Sequence, residues 1–214
     1  MIAVNPNAAR LETKIVPGRS CGSCTLCCKV FAVPEVESPR SVLCKHCVPE
    51  KGCSIHASRP PVCREFFCNW LLIGTLGPEW QPERAKIVLQ SVALAGGHQG
   101  LSVHADPDFP ENWRLPPYYT KIKAWAAKAA QNTKQTGPIY FVVAEVDLRK
   151  FLILPDQDVD LGIFQDKESI EIERQVRNGQ TEITARKSIS VARQSSFSRG
   201  GVTYLPSRSL NQNT

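Results

Sequence analysis

The sequence has no long apolar run, and nothing in it approaches the roughly 20 residues that a membrane-spanning helix needs. Its start, Met1 to Lys14, also lacks the continuous apolar stretch of a secretory signal. We therefore expect a cytoplasmic protein, in a compartment where thiols stay reduced. Its 214 residues, 42% hydrophobic and 21% charged, fit a folded protein of one or two small domains and argue against wholesale disorder.

Cysteine is absent from the whole chain after Cys68, and all nine cysteines lie between Cys21 and that position. An odd number cannot pair completely in disulfides, and a reducing compartment disfavours such pairs. One or two of the nine are expected to be small buried hydrophobic residues, but so dense a group is not explained in that way. Metal binding is therefore the leading hypothesis.

The spacing of the thiols sharpens this hypothesis. C-x-x-C steps recur, with one more cysteine directly after the first two steps: Cys21, Cys24, Cys27, Cys28, Cys44 and Cys47. Two thiolates separated by two residues can turn back on one tight loop and occupy adjacent corners of a tetrahedron. Gly22 and Gly52 supply the backbone freedom that such turns need. The candidate metal ligands are Cys21, Cys24, Cys27, Cys28, Cys44, Cys47, Cys53, Cys63, Cys68 and His56.

Nine thiols with the imidazoles of His46 and His56 exceed the four ligands of one tetrahedral ion, so we expect more than one ion. Adjacent side chains point in different directions, and Cys27 and Cys28 are expected to serve two centres. Zinc, iron and an iron-sulfur cluster all suit thiolates, and spacing does not choose among them. Each imidazole is equally well explained as a solvated or backbone-bonded side chain. Residues 21 to 70 are too few for a large core, so metal ions are expected to staple the segment.

The same residues resemble the YkgJ-type cysteine-cluster family, whose members are described as zinc- or iron-chelating. The matching elements, in order, are Cys21-x-x-Cys24-x-x-Cys27-Cys28, the Cys44/Cys47 pair, Gly52-Cys53-Ser54-Ile55-His56 and Arg59-Pro60-Pro61-Val62-Cys63-Arg64-Glu65-Phe66-Phe67-Cys68. The chain departs from the family at His56, where many relatives carry Tyr. The resemblance implies a metal site, and most of the family has no assigned reaction.

Two classes of function stay open. In the first, the protein is a metal-binding module; in the second, the thiols serve a metal-dependent or iron-sulfur enzyme. A related cysteine cluster occurs in the flagellin lysine methylases, which implies a protein-modifying transferase as the alternative. The chain lacks a glycine-rich strand-to-helix loop for a methyl donor, since Gly96-Gly97 is an isolated turn. An enzyme would place polar groups such as Arg64, Glu65 or Asn69 beside an open metal.

The remainder of the chain predicts an α+β fold, with an antiparallel sheet and one main helix. Tyr118–Gln131 has apolar residues at helical spacing, with Lys121, Lys123 and Lys128 directed outward. Asn178-Gly179 is the strongest hairpin signal in the chain. The predicted strands are Ala85–Leu94, Leu101–Ala105, Ile139–Val146, Phe151–Leu154, Ile170–Val176 and Thr181–Ala185. Phe66, Phe67 and Trp70 are expected to pack the thiol module on the sheet.

These signals divide the chain into an arm (1–20), a thiol module (21–75), a sheet-and-helix region (76–187) and a basic, serine-rich tail (188–214). The tail is expected to be flexible, with nucleic-acid binding as the minority interpretation. The alternate acids Asp156, Asp158 and Asp160 match a calcium loop poorly and predict a solvated turn, with binding of a cationic substrate left open. Metal ions are the expected partners, a protein partner stays open, and neither nucleic acid nor membrane is expected.

Overall fold

The structure is a computed structural model that describes residues 14–165, 167–177 and 180–189. The chain divides into two compact units. Within the described residues, the first unit comprises 14–90 and 104–113, and the second comprises 91–103 and 114–189. In this part of the chain, no helix is long and apolar enough to cross a membrane. The predicted arm before residue 14 and most of the predicted tail, from residue 190, lie outside the described residues.

The fold is α+β, with one main helix and several strands, as the sequence predicted. Strands β3 to β7 form a five-stranded sheet in that order, while β1 pairs with β2 and β8 pairs with β9 in separate two-stranded sheets. The strands are β1 Cys47–Val48, β2 Gly52–Cys53, β3 Ile87–Ala93, β4 Gln99–Ala105, β5 Tyr140–Val146, β6 Arg149–Ile153, β7 Asp158–Ile163, β8 Glu168–Arg177 and β9 Gln180–Ile189. The helices are α1 Cys27–Val30, α2 Pro61–Arg64, α3 Asn69–Leu72, α4 Pro82–Ala85 and α5 Tyr118–Asn132.

One hydrophobic cluster of the first unit includes part of the thiol-rich segment. Its buried members are Leu26, Val30, Cys68, Leu71 and Val88 of β3. Phe66, Phe67 and Trp70 pack against this cluster. This agrees with the expectation that residues 21–70 are too few for a large core, because the cluster is completed by Leu71 and Val88 from outside that segment. Burial of these apolar side chains contributes to the stability of the two ends of the segment.

The main helix of the second unit confirms the predicted amphipathic pattern. Helix α5 buries Ile122 and Ala126, one turn apart on the same face. It ends at Thr133, whose hydroxyl donates to the Ala129 carbonyl (3.0 Å). The outward direction predicted for Lys123 is wrong. Its ammonium bonds the Leu154 carbonyl and lies near a carboxylate of β7, because the long stem can reach back across the sheet.

The acids expected in a solvated turn lie mainly in a strand. Asp158 and Asp160 belong to β7, which pairs antiparallel with β6. Asp158 lies 3.3 Å from the Lys123 ammonium and accepts a hydrogen bond from the Tyr119 hydroxyl (3.1 Å), while Asp160 binds Arg149. The turn prediction was wrong for these two residues because neighbouring cations from other elements satisfy the carboxylates on a strand.

The hairpin prediction at the end of the described chain is confirmed. Strands β8 and β9 pair antiparallel over ten positions, from Glu168 opposite Ile189 to Arg177 opposite Gln180. Ile172 and Ile183 of this hairpin are buried in the second unit's core with residues of β5 and β6, including Phe141. The alternation of apolar and charged residues thus directs one face of the hairpin into the core.

Candidate metal centre

All nine cysteines lie in the described part of the chain, and within it none is paired in a disulfide. The first and third C-x-x-C steps form the tight turns that their spacing predicted. The N–H of Cys24 donates to the carbonyl of Cys21 and the N–H of Cys47 donates to that of Cys44, each at 2.9 Å. A tight turn of this kind is the backbone geometry that a chelating pair of thiols requires.

Two glycines lie where the Cys21–Cys24 turn approaches the start of β2. Gly22 and Gly52 have φ values of +51° and +88°, in the left-handed region that favours glycine. A Cβ on Gly52 would lie 2.4 Å from the Gly22 carbonyl oxygen. Gly52 therefore serves both a backbone conformation and a close approach, and the backbone freedom predicted for these two positions is confirmed.

Four thiols gather on the hydrophobic core of the first unit. They are named the core set: Cys21, Cys24, Cys27 and Cys68. They line one cavity of about 20 Å³, together with other side chains that include Phe66, Trp70 and Val88. That space suits one water molecule or one small ion.

Backbone donors point at two sulfurs of the core set. The N–H of Leu26 donates to Cys24, and the N–H groups of Trp70 and Leu71 donate to Cys68. Burial raises the pKa of Cys68 to about 12, while these donors act in the opposite direction by favouring the thiolate. An N–H donor at a sulfur favours the thiolate, which is the form that binds a cation.

The other five thiols form a second group, named the outer set: Cys28, Cys44, Cys47, Cys53 and Cys63. Cys28 and Cys47 share a side-chain hydrogen bond, and burial raises the pKa of Cys47. Burial and the charge of Cys28 raise the pKa of Cys63 to about 11, and Cys44 and Cys53 act in the same direction. These thiols are close enough that ionising one opposes ionising the next, which a shared cation would relieve.

The two sets meet at the Cys27-Cys28 pair in α1, whose sulfurs are 3.9 Å apart. The pKa of Cys28 is lowered to about 6, chiefly because Cys27 donates a hydrogen bond to its sulfur. The Arg59 guanidinium bonds Cys21 and acts electrostatically on Cys28 and Cys63. In the sequence, Arg59 is visible only as the first residue of the Arg-Pro element. Its position beside both sets of thiols depends on tertiary contacts, which the sequence pattern does not reveal.

The side chains as described do not yet close on an ion. In residues 14–165, 167–177 and 180–189, no group of three or more His, Cys, Asp or Glu side chains is placed to hold one. The donor chemistry nevertheless fits zinc or iron, since both take thiolate ligands and each set contains at least four thiols.

The remaining candidates lie in differing surroundings. His56 is exposed, and its described hydrogen bond uses the backbone carbonyl, which accepts from Arg59 Nε (2.9 Å). Its role as a ligand stays a prediction. Arg64 is exposed, Glu65 is half-buried and Asn69 is buried in α3. The three therefore differ in burial, and their place beside a metal stays a prediction.

No protein-family model, no curated protein and no solved structure matches this chain. The resemblance to the YkgJ-type family therefore rests on the cysteine spacing and the Arg-Pro element alone.

Proposed function

We propose that this protein binds two thiophilic cations, zinc or iron, one in the core set and one in the outer set. Its support is that all nine thiols are free, with four around one small cavity and the other five acting electrostatically on one another, and that the two groups are in contact at Cys27 and Cys28. The resemblance to the YkgJ-type cysteine-cluster family points in the same direction. Metal ions are thus the proposed partners, in the reducing cytoplasm.

The chemistry of the thiols supports the same conclusion. Burial raises the pKa of Cys21, Cys24 and Cys68, so these thiols do not ionise readily in the half-buried or buried places where they lie. A bound cation would supply the positive charge that keeps them deprotonated. Because loading displaces thiol protons, the affinity for metal is expected to rise with pH.

The first test is anaerobic purification of the full chain, followed by elemental analysis and a visible absorption spectrum. We expect about two metal ions per chain, as the four ligands of each tetrahedral site imply. A colourless protein containing zinc supports two mononuclear sites. A brown protein containing iron and labile sulfide supports an iron-sulfur cluster instead. Metal-free protein whose thiols form disulfides would contradict the proposal.

Variants assign the ions to the two sets. Cys24→Ser leaves three thiols in the core set, so it should lower the metal content by about one ion per chain. The outer set has a spare thiol, so a single substitution there should be tolerated, whereas Cys44→Ser combined with Cys47→Ser should remove the other ion. The matched control, Val48→Ser with Val62→Ser, changes exposed neighbours of two cysteines and should keep both ions. Unchanged metal content in both cysteine variants would refute the assignment.

A further inference from the structure

Most thiols of the two sets lie in chain segments that differ in how many residues they bury. The core set belongs to the hydrophobic cluster of the first unit, in which Leu26, Val30 and Leu71 are at most 7% exposed. Four of the five outer-set thiols lie between residues 40 and 65, where Gly52 is the only buried residue of this fully described stretch.

The apolar side chains of the 40–65 segment do not form a core. Val42, Leu43, Val48 and Val62 are all exposed, by 53%, 43%, 37% and 36%. Its regular structure is limited to the two-residue strands β1 and β2 and to short helical turns. A segment with few buried apolar contacts opens locally at a low free-energy cost, whereas a core element opens only with the unfolding of its unit.

We propose, resting on the proposed function, that the outer set is a metal-exchange site and the core set a permanent one. The outer cation leaves and enters through local opening of the 40–65 segment, while the core cation is retained until the first unit unfolds. On release, the cation passes to the ligand atoms of an external chelator, and the thiolates left behind take up protons from water. The protein would then be a metal carrier whose structural ion and whose cargo ion occupy adjacent sites.

The test uses the full chain loaded with two zinc ions and mixed with excess 4-(2-pyridylazo)resorcinol, whose colour reports released zinc. We expect two phases of one ion each, with rates that differ by roughly tenfold or more. During the fast phase, trypsin should begin to cleave after Lys45 and Lys51. The near-ultraviolet circular dichroism should persist until the slow phase, because the tryptophans of the first unit lie in or near its core.

The variants decide which set is which. Cys44→Ser with Cys47→Ser should abolish the fast phase and keep the near-ultraviolet signal, whereas Cys24→Ser should abolish the slow phase. Two ions released in a single phase, or a fast phase removed by Cys24→Ser, would overturn the exchange proposal and leave two-ion binding intact. A chain that holds one ion or none would overturn both proposals.

Discussion

Arg19 offers the sharpest test of what holds residues 70–76, which follow Cys68, in place. Its guanidinium donates to the carbonyls of Trp70, Ile73 (3.0 Å) and Leu76 (2.6 Å), with a longer bond to Gly74 (3.4 Å), and lies 4.9 Å from the Trp70 ring centroid. Three of these bonds are partly buried. At about 1 kcal/mol net for each partly buried bond, Arg19→Ala should lower the free energy of unfolding by about 3 kcal/mol.

The assay is thermal unfolding of the metal-loaded chain, followed by circular dichroism. A loss of about 3 kcal/mol corresponds to a fall in Tm of about 6–12 °C for a protein of this size. Arg19→Lys keeps the charge but not the fork of donors, so its Tm should be intermediate. The matched control is Arg40→Ala, which removes one long bond to the Val30 carbonyl (3.4 Å) and should cost less than about 1 kcal/mol. If Arg19→Ala lowers Tm no further than Arg40→Ala, the hydrogen bonds of the Arg19 guanidinium do not stabilise the fold.

Three further predictions follow from local geometry. Gly52→Ala should reduce stability and metal content much more than Gly18→Ala. Both positions have positive φ, which costs an alanine about 1–2 kcal/mol, but only at Gly52 would the added Cβ lie 2.4 Å from a backbone oxygen. Equal losses of stability on urea unfolding would refute this reasoning. Lys29→Met should cost about 3–5 kcal/mol, because it leaves the buried carboxylate of Asp106 without the ammonium 2.6 Å away. Adding Asp106→Asn should restore most of that loss, and a double-mutant cycle without coupling would contradict it. Burial and a hydrogen bond to a carboxylate raise the pKa of Tyr119, so its contribution to stability is complete below the unfolded-state pKa of about 10 and is lost as pH rises through the folded value. Tyr119→Phe should remove a tyrosine component of the ultraviolet spectrum that titrates above about pH 10. If the variant instead loses a component that titrates at about pH 10, the pKa of Tyr119 is not raised.

Much of the fold was predictable because local patterns agreed with tertiary packing. The predicted helix Tyr118–Gln131 differs from α5 by one residue, since its apolar spacing coincides with the face that is buried. The hairpin around residues 177–180 was predictable because Asn-Gly at its centre favours the turn that suits twisted strands. Strand β7 was missed because its acids, next to Pro155, have the composition of a turn, and the cations that neutralise Asp158 come from distant positions.

The candidate metal centre likewise has features that the sequence could predict and features that it could not. Spacing along the chain was enough to predict the turns at Cys21–Cys24 and Cys44–Cys47, because such turns are local. It could not predict that Cys68 joins the first three cysteines while Cys63 joins the others, since that depends on how α2 and α3 pack. Arg19 gave no signal at all, because its partners are backbone carbonyls more than fifty positions away.

The junction at Cys27-Cys28 has a consequence for any binding isotherm measured on this chain. One peptide bond joins residues of different sets, and two unit charges 4 Å apart interact by about 4 kcal/mol at an effective dielectric constant of 20. In the proposed two-ion state, occupancy on one side of the dipeptide is therefore expected to alter the affinity on the other. The two proposed sites should therefore load in a fixed order, because Cys27 and Cys28 are adjacent residues. A binding isotherm should then not fit a model of two independent sites.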